Sequence, residues 1–267
     1  TPFPGQPYFV NETTSTMDVA AELLCTRQAE HGTVLWAGHQ TRGTGRLPER
    51  RWEERPGTAL LFTLLLETER LGTETNALSL RFGLLLAEVL ELFVRTSVNV
   101  AVKWPNDLLI AGRKAAGILV RQGGGWVQVG IGVNLRREAV PASLRDRATA
   151  IEFYTPEDRE TPPPAMLLEE LLAATSAEFS GTTAWRERLE GRLAYLHQRV
   201  NCVTPAFPEP ISAVVDGISS EGALRLSSLR ADPRQEEGQT RTSENSEVVF
   251  ESGEWLCYDG AIAPMCH

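Results

Sequence analysis

The chain is predicted to be an α+β protein, a mixed β-sheet backed by helices, followed by a small all-β unit. Three observations carry this. "TALLFTLLL" (58–66) is a short, continuous apolar run of the kind that forms a strand covered on both faces, and "NALSLRFGLLLAEVLELFV" (76–94) is long enough to be a buried helix. From about Val200 the texture changes, with prolines at 205, 208 and 210 and then "ISAVVDGISSEGALRLSSL" alternating in strand fashion around a glycine turn. The expected domains are therefore 1–200 and 201–267.

The elements follow in order. Ser15 or Thr16 can cap a helix whose apolar residues Val19, Ala20, Leu23 and Leu24 recur at helical spacing, with Gly32 placed to end it. The strand "TVLWAG" comes next. "HQTRGTGRLPERRWEERPG" then has glycine, proline and arginine without a period, so it reads as a long loop, and loops of that length are often functional. After the apolar strand and helix, "VNVAVKW" and "DLLIAGRKAAGILV" read as strands around turns, and "GGGWVQVGIGVNL" as their hairpin partner. Two amphipathic helices, near 164–180 and 183–196, complete the first unit. The polar run "RADPRQEEGQTRTSENSE" reads as an exposed hairpin tip or insertion.

Composition narrows the function. A chain of 267 residues with 42% hydrophobic residues and a formal net charge of -9 is the size and balance of a globular enzyme. Its acidity argues against a nucleic-acid partner, which needs a basic face to displace counterions. No apolar run approaches the roughly 20 residues of a membrane span, and the first residues lack a signal-peptide pattern, so a cytoplasmic protein without membrane partners is expected. Cys25, Cys202, Cys257 and Cys266 show no CxxC pair and no zinc-like spacing with the histidines, so no protein-held metal is expected.

Four polar or glycine-rich segments stand at element ends: "TTSTMD" (13–18), the arginine-glycine loop (40–52), "KWPND" with "GRKAAGIL" (103–119) and "GIGVN" (130–134). Taken singly, the first can be only a helix cap and the last only a strand kinked for packing. "KWPND" is more specific. Pro105 biases Trp104 to an extended conformation, so Lys103 ends a strand and Asn106 and Asp107 occupy the turn. A partly buried lysine needs an anion, and Asp107 can be that anion.

"KWPNDLLIAGRKAAGIL" followed by "GIGVN", and preceded in order by the Ser-Thr pair and the glycine-arginine loop, resembles the biotin-protein ligases, in a form without an N-terminal DNA-binding domain. The resemblance runs from about Ser15 to Asn134 with high specificity and continues weakly to the C-terminus. It implies a catalytic sheet like that of class II aminoacyl-tRNA synthetases and a small C-terminal SH3-like β-barrel. It also implies a two-step reaction: biotin and MgATP give biotinyl-5'-AMP and pyrophosphate, and a lysine of a biotin carboxyl carrier domain of a biotin-dependent carboxylase then takes the biotinyl group. The enzyme is expected to be a monomer or homodimer.

By the same resemblance Ser15, Thr16 and Gln40 bind the ureido ring of biotin, and Gly117 and Gly130 line the biotin side. Gly43, Thr44, Gly45 and Arg46 match the loop that closes over ligand. Lys103 is implied to be the cation touching both the biotin carboxylate and the α-phosphate. Two unit anions about 4 Å apart repel by roughly 4 kcal/mol at an effective dielectric near 20, a repulsion one lysine can offset. On the ATP side the resemblance implies Asn106, Arg113, Lys114 and Asn134, with Trp52 packing on the loop or on adenine. Asp107 either orients or deprotonates the acceptor lysine, or only holds Lys103. Magnesium is expected to arrive on the phosphates.

Three departures stand out. Thr44 replaces an arginine of the usual "GRGR", leaving Arg42, Arg50 or Arg51 to restore the charge. "LPERR" stands where a glycine is usual, and the tail "WLCYDGAIAPMCH" lacks an arginine. Lipoate-protein ligases and octanoyltransferases are the neighbouring alternative. A non-catalytic biotin or adenylate sensor is the alternative of a different class, and a biotin-dependent repressor is disfavoured by the missing DNA-reading module.

Overall fold

The computed structural model describes residues 7–46, 51–71, 77–180, 184–204, 207–231 and 248–250. The "LPERR" segment apart from Arg51, most of the polar run and the tail lie outside the described residues.

Seven strands form the main sheet: β1 (Pro7–Val10), β2 (Thr33–Ala37), β5 (Ala59–Glu67), β6 (Val100–Lys103), β7 (Asp107–Ile110), β8 (Arg113–Gly123) and β9 (Trp126–Asn134). The spatial order is β1-β2-β5-β9-β8-β7-β6, with β1 parallel to β2 and every other pair antiparallel, so the sheet is mixed. The apolar run of β5 is central because both its faces are covered; every residue from Ala59 to Leu66 is buried. One face packs on α2 (Leu78–Glu91) and α3 (Pro164–Phe179). Gly83 lets α2 approach the sheet, where an added Cβ would stand 3.1 Å from the Val102 side chain. The short α1 (Thr16–Cys25) lies against β5 and β9.

The long loop is not wholly irregular, because β3 (Gly43–Thr44) and β4 (Arg51–Trp52) pair within it. Two helix ends differ from expectation. Helix α1 stops at Cys25, not at Gly32: the Thr26 hydroxyl donates to the Glu22 carbonyl (2.9 Å), and Arg27 turns left-handed at φ 54°. Gly32, at φ 82°, instead leads into β2. The second late helix is only α4 (Trp185–Glu190).

Strands β10 (Arg199–Thr204), β11 (Phe207–Ile218), β12 (Leu224–Ala231) and β13 (Val248–Phe250) form a second, antiparallel sheet. Among the described residues this ladder is open rather than a closed barrel. Its core joins that of the first sheet: Val200, Cys202, Ala213, Val215, Leu224 and Leu226 belong to one continuous apolar cluster with α2 and α4. No helix among the described residues is long and apolar enough to cross a membrane.

Candidate active site

"KWPND" makes the corner between β6 and β7, and nearly every residue in it is committed. The Trp104 indole N–H donates to the Gly222 carbonyl (2.9 Å), and the Pro105 carbonyl accepts from Ser79 Oγ (2.9 Å). Asn106 is tied to β8 twice: its Nδ2 donates to the Ile118 carbonyl (3.0 Å), and its carbonyl accepts from Ile118 N–H (2.9 Å). The corner therefore fixes β7 against β8, and it fixes Asp107 opposite Gly117.

The cleft lies on the sheet face away from α2. Its lining includes Ser15, Thr16 and Met17 from the start of α1, and Gln40, Thr44, Gly45, Arg46 and Trp52 from the loop. Asn106, Lys114, Gly117, Ile118, Leu119, Gly130, Ile131 and Gly132 complete it from the sheet. Gly117 and Gly132 face each other across β8 and β9 and leave the floor without side chains. Trp52 fills that space: a Cβ on Gly132 would come within 2.8 Å of the indole ring, and one on Gly117 within 3.4 Å. Gly130 makes the same room for Met17, whose Sδ would be 2.7 Å from an added Cβ.

Residues 13–14 run parallel to 40–42 through backbone hydrogen bonds, which bring the Ser-Thr pair to Gln40. Thr63 Oγ1 donates to Thr16 Oγ1 (2.9 Å), and Thr16 offers both its N–H (2.7 Å) and its hydroxyl (3.1 Å) to Gln40 Oε1. Because a backbone N–H needs an acceptor, this relay settles which end of the Gln40 amide is oxygen and leaves Nε2, near Gly43, as a donor. Ser15 occupies the N-cap position, yet its side chain does not cap the helix. Its hydroxyl has no hydrogen bond among the described residues and borders the cleft.

The lining holds two cations, Arg46 from the loop and Lys114 from the sheet. Lys114 pairs with Asp107. Its Nζ is 2.6 Å from Asp107 Oδ1, a charge contact off the line of a hydrogen bond, with 38% of the lysine and 24% of the aspartate side chain exposed. The backbone of Lys114 is held on both sides, paired with Leu109 on β7 and bridged to Ala148. Lys103 is different. It ends β6 on the same sheet face as Asp107 and directly opposite it, but it makes no ion pair among the described residues and stands outside the lining. The expected Lys103–Asp107 pair is therefore replaced by Lys114–Asp107, with the end of the Lys114 side chain lying over Gly117.

Other expected residues also stand outside the lining. Arg113 alternates to the opposite face from Lys114 and donates to Tyr154 Oη (2.7 Å) and the Arg145 carbonyl (3.2 Å). Asn134 is buried and donates to the Thr149 carbonyl (3.0 Å). Gly43 lies just behind the lining, where an added Cβ would be 2.7 Å from the Trp52 carbonyl oxygen. Of the arginines that could replace the one lost at Thr44, Arg42 and Arg51 are exposed and stand outside the lining. Sequence reasoning missed Met17, whose apolar helix position reads only as core, and Thr63, hidden in an apolar strand.

Residues 9–136 match the Biotin/lipoate A/B protein ligase family. The biotin--[acetyl-CoA-carboxylase] ligase of Paracoccus denitrificans is 30% identical over 179 residues, covering 61% of this chain and 72% of that protein. The bifunctional ligase/repressor BirA of Bacillus spizizenii is 29% identical over 154 residues, 55% of this chain and 46% of the repressor, so the match spans about half that protein's length. Among solved structures, the biotin protein ligase from Aquifex aeolicus in complex with biotin and ATP superposes with a TM-score of 0.74 at 26% identity, over 96% of this chain and 99% of that one. The mixed sheet and its glycine-floored cleft thus define a protein of the biotin and lipoate ligase class. Within that class, the chain belongs to the biotin-protein ligase family.

Proposed function

We propose that this protein is an ATP-dependent ligase that converts biotin to biotinyl-5'-AMP and transfers the biotinyl group to a lysine of a biotin carboxyl carrier domain. The observation that carries the reading is the fixed Gln40 amide at one end of the cleft and the Lys114 ammonium at the other. A ureido ring has a carbonyl and two N–H groups that cannot be buried unpaired. Gln40 Nε2 and the open Ser15 hydroxyl complement it, while Thr16, already committed to Gln40, positions rather than binds. Gly130 and Gly132 are two residues apart on β9, about 7 Å, and β5 and β8 are two strand spacings apart, about 10 Å. An aliphatic arm of that length, taking the place of the Trp52 ring over Gly132, carries a carboxylate from the Thr63–Thr16 end to Lys114.

Lys114 then takes the charge-offsetting role in adenylation, and Asp107 holds its ammonium in place. Gly45 and Arg46 face the same space, where backbone amides and a guanidinium suit phosphate oxygens. Magnesium enters on the triphosphate. Because the reaction draws on ATP, the reading carries a cytoplasmic location with it. It also carries the division into a catalytic domain at 1–200 and a C-terminal domain at 201–267, completed as an SH3-like barrel.

The test is pyrophosphate release on adding biotin and MgATP. Release with biotin but not with lipoate is expected. Biotin binding without release makes the protein a sensor, and release with lipoate alone overturns the choice of substrate.

A further inference from the structure

Behind the cleft wall lies a carboxylate that the reading above does not use. The Glu54 side chain is fully covered, and its Oε1 accepts from Gln40 N–H (3.1 Å) and pairs with His39 Nδ1 (2.9 Å). Its Oε2 is buried and has no hydrogen-bond partner among the described residues. Covering a carboxylate in this way is costly unless the contacts it makes are needed. Those contacts join the two limbs of the loop at its root: His39 and Gln40 enter it, and Glu54 leaves it two residues after Trp52, which covers the Gly132 floor. Glu54 itself does not line the cleft.

We infer that Glu54 is a positioning residue for biotin recognition, holding the Gln40 backbone N–H while Thr16, itself held by Thr63, holds the Gln40 side chain. Two sets of hydrogen bonds then fix the amide that meets the ureido group. Without the Glu54 set, the side-chain relay and the backbone bonds of residues 13–14 to His39, Thr41 and Arg42 have to hold a residue at the mouth of a long loop, with nothing on the Gln40 N–H. His39 completes the arrangement by donating to the carboxylate at the residue next to Gln40.

This inference rests on the reading that the cleft takes biotin, and the experiment separates the two. Biotin affinity of the unmutated full chain is measured by calorimetry, and KM for biotin, KM for ATP and kcat by pyrophosphate release. For Glu54→Ala the expected result is a rise of about tenfold in Kd and KM for biotin, with KM for ATP and kcat within about twofold. Glu54→Gln, whose amide oxygen still accepts the Gln40 N–H, should recover most of the affinity. Glu54→Asp keeps the charge but withdraws it by one methylene, and it should behave like the alanine variant. That variant serves if Glu54→Ala does not fold. Unchanged biotin affinity in the aspartate variant, or a fall in kcat with both KM values unmoved, overturns the positioning role alone. No biotin binding by the unmutated chain overturns the substrate reading and the inference with it.

Discussion

At the scale of single residues, the question is which lysine carries the charge of the first step. Lys103 ends an apolar strand and Lys114 begins one, and in the sequence either can face an anion. Strand register puts both on the face of Asp107, and side-chain placement separates them, since Lys114 reaches over Gly117 to Asp107 and into the lining while Lys103 sits on the edge strand beside it. Lys114→Met should lower the rate of biotinyl-5'-AMP formation by about two to three powers of ten, and by more than Lys103→Met does. Single-turnover pyrophosphate release checks both, and the reverse order contradicts the assignment. Glu54 gives a second prediction. Burial holds its carboxyl above the ordinary glutamate range, against the opposing pull of Gln40 N–H and His39. A raised folded-state pKa makes its contribution to stability greatest in acid and lost as pH rises through that pKa. The melting temperature of Glu54→Gln, relative to the unmutated chain, should therefore improve between pH 4.5 and pH 7.5; a difference that falls with pH contradicts this.

At the scale of elements, the loop and the glycine floor form the cleft together. Trp52 packs on Gly132 so closely that Gly132→Ala must displace the ring, at a cost of about 1 to 3 kcal/mol. Adenylation by that variant should fall by about tenfold or more while the far-ultraviolet circular dichroism stays unchanged, whereas Gly117→Ala, with 3.4 Å of room, should be milder. Arg51 is exposed beside Trp52, so tryptic cleavage there should slow when biotin and ATP are both present. Equal cleavage with and without them counts against closure of the loop over ligand. Most strands and both long helices were legible because continuous apolar runs and helical periodicity are local signals. Strand β1, with "PYFV" mostly exposed on the sheet edge, carries no such signal, and the β3–β4 pair inside the loop depends on partners several residues away. The candidate site was legible as segments, since loops rich in glycine and polar residues stand out at element ends. Which side chain of each segment faces the cleft was not, because alternation along β8 decides between Arg113 and Lys114.

At the scale of the whole molecule, the two sheets share one apolar cluster, and the corner that positions the cleft also touches the second sheet. Trp104 donates to Gly222, and Gly222 has no room for a Cβ beside Ala77. Urea unfolding followed by tryptophan fluorescence and by circular dichroism should therefore give coincident midpoints, and separate transitions would show that the shared core does not couple the sheets. Trp104→Phe removes the linking hydrogen bond and should lower stability by about 1 kcal/mol. The transition change near Val200 was visible in the sequence because proline spacing and strand alternation are local. The joining of the two cores was not, since it rests on contacts more than a hundred residues apart. The central claim is the transfer reaction itself. The direct measurement is the intact mass of a biotin carboxyl carrier domain incubated with this protein, biotin and MgATP. A gain of one biotinyl unit, absent when the carrier's acceptor lysine is replaced by arginine, is the predicted result; an unchanged mass in the presence of accumulated biotinyl-5'-AMP would contradict it.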